Sequence, residues 1–331
     1  MDNYSDNNYY EEQYKSFALL REKAAISRAA WAIAIPAVVF FLVTQFWSSI
    51  VTFVGQSFGF DKSQIAAFVN EPARLQIVQV ALSLLLLTVP FVICAKIAGA
   101  GISDITALKK PKSENNFAYL LFGIGFCAFA NVAVSAAARL FESFGFNYSV
   151  PAAKHPEGVF GFLLMVLSTA IVPALVEEFA YRGIVFGLLK PFGEVFAIFA
   201  SSVAFGVLHG NFEQMPFAFL VGLVLGLIRV KTDSILICMA VHAINNLVAV
   251  LLEYSTSLPR AIANITYTVY IMLALTLTIL GVAFLKRNDN FKFNSPDTVN
   301  PTKKIYFTFF FSPATIVFFA LFIYRAVMYI F

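Results

Sequence analysis

The chain has 331 residues, of which 60% are hydrophobic and 13% are charged, and its formal net charge is +4. A soluble domain of this size carries about 25% charged residues, so the composition excludes an ordinary soluble protein. The apolar residues form long runs, which predicts an all-α, polytopic membrane protein in a lipid bilayer. No basic patch with interleaved aromatic residues indicates a nucleic-acid partner.

Nine apolar segments are candidate transmembrane helices, each bounded to within a few residues. In chain order we predict spans at 29–54, 75–98, 117–139, 158–189, 194–209, 215–230, 233–252, 262–285 and 305–330. Pro313 and Arg325 interrupt the last of these, so an interfacial or re-entrant segment is an alternative there. No repeat of fixed period and no matching pair of broken helices is visible, which argues against a transporter.

The distribution of Lys and Arg sets the orientation, because these residues are enriched in cytoplasmic loops. With the N-terminus inside, most of the Lys and Arg residues outside the spans fall on the inner side. We therefore predict a cytoplasmic N-terminus, in what we expect to be a bacterial plasma membrane. No feature of the sequence indicates the oligomeric state.

The segment ALVEEFAYRG, residues 174–183, places two acids and a base inside an apolar run. A charged residue at the centre of a membrane helix costs about 2.5–3.5 kcal/mol on insertion scales. Glu178 and Arg182 are spaced i,i+4 with the acid first, so they can satisfy each other. Glu177 has no such partner, and we expect it to be protonated or exposed to internal water, either of which suits a general base. The alternative is an interfacial turn whose charges reach bulk water.

Pro173 lies four residues before Glu177. It has no N–H and cannot donate a hydrogen bond to the carbonyl of Thr169. We predict a kink or opening there that exposes the two acids to a cavity, although prolines without a role are also common in membrane helices.

Two of the three histidines lie in predicted spans downstream of the acids. His209 follows Phe205 by four residues in FGVLHGN, and Asn246 follows His242 by four residues in VHAINNL. Taken alone, such residues are more often structural, because polar side chains join neighbouring membrane helices. At about 1.5 Å per residue, however, Glu177, His209 and His242 all fall near the middle of a core about 30 Å thick. The depth estimate therefore allows a common site.

The order EExxxR, FxxxH and HxxxN within apolar helices resembles the CPBP family of CAAX proteases and bacteriocin-processing enzymes, also called Abi proteins. The motifs are Glu177–Arg182, Phe205–His209 and His242–Asn246, and the resemblance covers roughly residues 117–252. It implies an intramembrane endopeptidase with a CAAX-protease-like core. Its substrate would be a prenylated CAAX-type or other membrane-associated peptide.

The resemblance also implies a role for each polar residue. Glu177 would be the base that takes a proton from water, and His209 would hold or polarise that water. The oxyanion donors would be His242 and Asn246, while the pair Glu178–Arg182 would support the arrangement. Phe205 is expected to pack beside the site.

The participation of a metal is left open by the sequence. Family members are commonly classed as metalloproteases, so zinc or another divalent metal held by Glu177, His209 and His242 is one hypothesis. Glu178 could replace Glu177 as a ligand, which would leave the other glutamate as the base. The sequence has no HExxH motif, and a metal-free glutamate mechanism is the alternative.

On this basis we divide the chain into four regions. They are a polar cytoplasmic tail (1–28), the first two membrane helices with their loops (29–116), a CPBP/Abi-like catalytic core (117–252), and C-terminal membrane helices (253–331) that include a polar linker at 286–304. Features specific to the substrate are expected outside the core.

Two functions without proteolysis compete with this interpretation. One is a non-enzymatic protein of the same fold, such as a bacteriocin self-immunity protein or a membrane scaffold. The other is a transporter that uses Glu177 and the histidines as a proton relay. A scaffold has no need of an unpaired Glu177, which favours the enzyme.

Overall fold

A computed structural model describes residues 3–145, 156–256, 258–288, 292–294 and 298–329. Within these ranges all regular structure is helical, which confirms the predicted all-α bundle. In chain order the helices are α1 (Asn3–Gln45), α2 (Trp47–Ser57), α3 (Lys62–Val69), α4 (Pro72–Leu86), α5 (Val89–Ile97), α6 (Ile102–Thr106), α7 (Asn116–Ser143), α8 (Gly158–Phe192), α9 (Glu194–Leu208), α10 (Met215–Thr232), α11 (Leu236–Ser255), α12 (Arg260–Asn288), α13 (Thr302–Phe310) and α14 (Pro313–Val327).

The predicted count of nine spans is not confirmed. In the described part of the chain, seven helices are long and apolar enough to cross a membrane, or eight if α13 and α14 form one span. That pair is bent by 56° immediately before Pro313, where the sequence indicated an interruption. Helix α9 has 15 residues, or about 22 Å, which is shorter than the hydrocarbon core of a bilayer.

The first predicted span, 29–54, is wrong at both ends. Helix α1 begins at Asn3, so the polar tail of the sequence is largely helical, and it ends at Gln45. The hydroxyl of Thr44 donates to the carbonyls of Phe40 and Phe41, and this kind of side-chain bond bends helices. The apolar run after the break forms α2, which buries none of its side chains.

The larger of two apolar cores joins α1 to α8, α9 and the C-terminal pair. Phe41 of α1 meets Phe322 of α14 edge to face, with ring centroids 5.2 Å apart. In the linker, the backbone N–H and side-chain amide of Asn300 donate to Glu22 of α1. The C-terminal helices therefore brace the first helix, although the two are at opposite ends of the sequence.

The smaller core lies between α7, α10 and α11, and α12 covers α7 from the other side. Glycines bring α7 and α12 close together: a Cβ at Gly125 would lie 2.5 Å from the backbone nitrogen of Thr278. Small residues at such crossings allow backbones to approach, which is a main source of helix association in membranes.

We predict that Gly281→Ala destabilises the protein. A Cβ at this position would lie 2.6 Å from both the Cα and the backbone nitrogen of Phe122, so α7 and α12 must move apart. Overpacking of this kind costs about 1–3 kcal/mol, against a gain of about 1 kcal/mol in helix propensity.

The measurement is thermal unfolding of the purified protein in detergent. Leu280→Ala is the matched control, because the neighbouring side chain is 44% exposed. Equal melting temperatures for the two variants would contradict the close approach of the helices.

Candidate active site

Helix α8 carries both acids and departs from regular α-geometry on either side of them. A π-helical segment covers Val166–Ile171, an α-helical segment covers Val172–Glu178, and a second π-helical segment covers Phe179–Val185. Insertions of this type are rare and are frequent at functional sites. The first segment lies immediately before Pro173, so the helix is irregular where the proline predicted an opening.

The opening exposes one acid only. Thr169, Pro173 and Glu177 line one cavity of ≈ 950 Å³ together, and the Glu177 side chain is 17% exposed. Glu178 is fully buried. The prediction that the opening exposes both acids is therefore wrong for Glu178, because adjacent residues on a helix point about 100° apart.

The carboxylate of Glu178 joins two helices. Its Oε1 accepts a hydrogen bond from Arg182 Nη1 at 3.1 Å, the i,i+4 pair expected from the spacing, and another from His242 Nδ1 of α11 at 2.8 Å. An ionised carboxylate only accepts, so in the tautomer that this contact favours the proton is on Nδ1. In that tautomer the Nε2 atom of His242 keeps a free lone pair.

That free nitrogen points toward the other acid. His242 Nε2 lies 3.9 Å from Glu177 Oε2, which is too long for a direct hydrogen bond. A water molecule that contacts both atoms would bridge this separation. Glu177, which lines the cavity, thus places its carboxylate opposite an imidazole nitrogen of a residue that does not line it.

His209 lies at the C-terminal end of α9 and belongs to the same group of side chains. Its Nδ1 lies 3.0 Å from the carbonyl oxygen of Phe205, to which it donates. The Phe205 ring meets His209 at 5.1 Å and His242 at 6.1 Å between centroids, edge to face in both cases. The Arg182 guanidinium lies over the same ring at 4.2 Å. Within the described residues, His209 makes no hydrogen bond to either glutamate.

Asn246 is held by the backbone of α8. Its Nδ2 donates to the carbonyl oxygen of Thr169 at 3.0 Å, and its Oδ1 accepts from Asn245. Pro173 has no N–H and cannot donate a hydrogen bond to this Thr169 carbonyl. A carboxamide nitrogen has two hydrogens, so this bond uses one and leaves the other available to a ligand.

A second buried arginine supports the site and was missed by the sequence reasoning. Arg229 of α10 donates through Nε to the backbone carbonyl of Arg182 at 3.2 Å, and through Nη1 to Asp233 at 3.2 Å. Its i,i+4 spacing to Asp233 was the available signal. Partial burial by itself would raise the pKa of Asp233, but hydrogen bonds from Lys109 and Lys112 and the charges of Lys109 and Arg229 hold that pKa well below its usual value.

The hydrogen bonds of the site leave the metal hypothesis open. Glu178 Oε1 is committed to Arg182 and His242, whereas both histidines use Nδ1 for oxygen acceptors, which is the arrangement in which Nε2 commonly binds a metal. Among the described residues no group of three His, Cys, Asp or Glu side chains is placed to hold a metal ion. Zinc therefore stays a hypothesis for a direct metal assay.

The fold and these contacts define a polytopic helical membrane protein with a carboxylate–imidazole site. Residues 159–248 match the family model described as "Type II CAAX prenyl endopeptidase Rce1-like", a range that contains all the polar residues of the site. The match over this range confirms the resemblance in the motifs, and the family that it matches is one of proteases. No significant match was found among curated proteins or solved structures.

We predict that the two adjacent acids differ sharply in their effect on stability. Among the described residues Glu178 is the only charged group that hydrogen-bonds the 1%-exposed Arg182. Glu178→Gln removes that charge, and an uncompensated buried charge costs about 3–5 kcal/mol. Glu177→Gln changes a group at the cavity wall without a direct hydrogen bond, and we expect a change within about 1 kcal/mol.

Thermal and denaturant unfolding in detergent measures both variants side by side, and each serves as the isosteric control of the other. If the two substitutions had equal effects on unfolding, the buried Glu178–Arg182 pair would not be a structural element.

Proposed function

We propose that this protein is an intramembrane endopeptidase in which Glu177 activates a water molecule for attack on a peptide bond. Its substrate is a prenylated CAAX-type or other membrane-associated peptide. The observation that carries the proposal is the position of Glu177, which lines a cavity of ≈ 950 Å³ and has its carboxylate 3.9 Å from His242 Nε2.

In this proposal Glu177 takes a proton from water while the water oxygen attacks the carbonyl carbon of the scissile bond. The C–N bond of the resulting tetrahedral intermediate then breaks, and Glu177 returns the proton to the leaving amine. A base must lie within hydrogen-bond reach of the water. A water between Glu177 and His242 meets that condition, and the lone pair on Nε2 would accept its second hydrogen.

The oxyanion needs donors other than those that hold the water. The second N–H of Asn246 is free of the Thr169 carbonyl and supplies one donor. His242 Nδ1 is committed to Glu178, so His242 can donate to an oxyanion only when both ring nitrogens carry protons. Removing one oxyanion donor typically costs a factor of 10²–10³ in rate. His209 would help to hold or polarise the water, as the resemblance implies.

The non-enzymatic alternative, a bacteriocin self-immunity protein or membrane scaffold, shares the fold but gives the opposite result in a cleavage assay. A scaffold would depend on the buried pair Glu178–Arg182 for stability and would have no use for an acid at a cavity wall. The partial exposure of Glu177 therefore favours the enzyme.

We predict that Glu177→Gln abolishes peptide hydrolysis without unfolding the protein. The amide keeps the shape of the side chain but cannot take the proton, and general-base catalysis typically contributes a factor of 10²–10⁴. The assay uses the full chain in proteoliposomes with a farnesylated CAAX peptide, and mass spectrometry quantifies the released tripeptide.

Leu251→Ala is a control on the helix that carries His242 and Asn246, because the Leu251 side chain is 46% exposed and lies outside the site, and it should leave hydrolysis unchanged. Wild-type protein that leaves both the farnesylated peptide and a neutral membrane peptide uncut would favour the scaffold. Elemental analysis of the same wild-type, His209→Ala and His242→Ala preparations tests the zinc hypothesis, which requires stoichiometric metal that the substitutions reduce.

A further inference from the structure

Arg325 is a membrane-helix cation that the proposed mechanism does not use. It lies in the last turn of α14 and is the only charged residue of that helix. An ionisable residue in such a helix is a candidate functional group, with a partner of opposite charge expected. Within the part of the chain that the structure describes, its guanidinium forms no ion pair and no hydrogen bond. A cation in the last turn interacts favourably with the helix dipole, but this leaves the five N–H donors of the guanidinium available to a ligand.

Arg325 lines a cavity between α1 and α14, near the C-terminal ends of both helices. The cavity has a volume of ≈ 640 Å³, which is within the range for ligand sites. Its polar lining consists of Gln45, Tyr324, Arg325 and Tyr329, and the rest of the wall is apolar. Among the described residues of this wall, Arg325 is the only one that is charged at neutral pH. The cavity therefore attracts an anion. We call it the Arg325 cavity.

The Arg325 cavity is separate from the cavity that Glu177 lines. Phe40 and Thr44 of α1 line the cavity of Glu177, whereas Phe41 and Gln45 line the Arg325 cavity. Successive residues of a helix point about 100° apart, so these two pairs belong to different faces of α1. A ligand at Arg325 is therefore distinct from the peptide of the proposed function.

The charged and aromatic residues of the C-terminal helices place the cavity near one surface of the bilayer. Lys303 and Lys304 lie at the start of α13, whereas Arg325 lies in the last turn of α14, at the opposite end of the bent pair. Tyr324 and Tyr329 are on either side of Arg325 in the sequence, and both line the cavity. Tyrosine is enriched where the hydrocarbon core meets the lipid headgroups. The guanidinium is thus at the level of the lipid phosphates.

The stem of Arg325 is held in position by the turn that follows His209. Gly210 of this turn has a φ of +59°, and a Cβ there would lie 3.1 Å from Arg325 Cδ and 3.3 Å from Phe322 Cδ1. The glycine thus lets the arginine stem pass close to the backbone. A side chain that is already packed in one place loses less conformational freedom when it binds a ligand.

The composition of the wall selects the class of ligand. Guanidinium groups bind phosphate through two parallel hydrogen bonds. Leu42 and Met328, which are 44% and 57% exposed, lie in the same cavity, and an acyl chain would cover them whereas a free phosphate would not. The described wall contains no Asp or Glu to pair with the cation of a choline or ethanolamine headgroup. These features favour a phospholipid with a net negative charge.

We propose that the Arg325 cavity binds an anionic phospholipid, with the phosphate held by the Arg325 guanidinium and an acyl chain along Leu42 and Met328. The bound lipid joins the last helix of the bundle to the first. The proposal does not depend on the proposed function, because it holds whether or not Glu177 activates water.

Titration of the full chain in a neutral detergent with dioctanoyl phosphatidylglycerol, followed by microscale thermophoresis, tests the proposal. Arg325→Gln should raise the Kd about 10- to 100-fold, as expected for the loss of hydrogen bonds to a charged group. Dioctanoyl phosphatidylcholine should bind the wild-type protein at least about 10-fold more weakly, because its ammonium group has no acid to pair with. Glycerol 3-phosphate, which has no acyl chain, should also bind at least about 10-fold more weakly than phosphatidylglycerol.

Arg139→Gln is the matched control, because Arg139 is an exposed arginine of α7 that does not line the Arg325 cavity, and it should leave the Kd unchanged. Arg325→Lys keeps the charge but not the planar pair of donors, so it should raise the Kd about 3- to 10-fold. This variant also gives a second reading if Arg325→Gln unfolds.

Three results would overturn the lipid site. They are an unchanged Kd for a folded Arg325 variant, equal binding of phosphatidylglycerol and phosphatidylcholine, and an effect of Arg139→Gln as large as that of Arg325→Gln. Glycerol 3-phosphate that binds as tightly as phosphatidylglycerol would also contradict it, because the ligand would then be a free phosphate ester.

Discussion

The hydrogen bonds of the buried Glu178 carboxylate are the interaction on which the rest of the site depends. This carboxylate is inaccessible to solvent and is shared by Arg182 of its own helix and His242 of α11. A charge in such a place is tolerated only when its partners are present with good geometry. The packing of α8 against α11 and the orientation of the imidazole therefore depend on the same hydrogen bonds. Arg229 extends the network by binding the backbone of Arg182.

Two neighbouring acids have different environments because a helix turns by about 100° per residue. Glu178 points into the protein, where it holds the Nδ1 proton of His242, and Glu177 points to the cavity, where it faces Nε2 of the same ring. Environment alone can separate the roles of two carboxylates. The supporting acid and the reactive acid of the proposed mechanism can thus be adjacent in sequence without competing for the same contacts.

The backbone of α8 also contributes. The helix is π-helical on both sides of the acids, and Pro173 leaves the Thr169 carbonyl without its usual donor. Asn246 donates a hydrogen bond to that carbonyl, so an irregularity in α8 positions a side chain of α11. The residues of the proposed mechanism therefore lie on α8, α9 and α11, whereas most of the cavity that Glu177 lines is built by α1, α2 and α4.

Composition and helical periodicity were sufficient to predict an all-α membrane bundle, the Glu178–Arg182 pair, and a group of polar residues at similar depth. These properties depend on residues within one or two turns of each other or on apolar content, which a sequence displays directly. The break after Gln45 was decided by local geometry that hydropathy does not register, whereas the short α9 and the interruption at Pro313 were already visible in the sequence. Only the tertiary structure decided which acid is buried and that His242 binds Glu178. It also determined that Gln76 and Gln79 of α4 line the same cavity as Glu177. Those contacts join residues far apart in the chain, and packing between helices, rather than any local pattern, selects them.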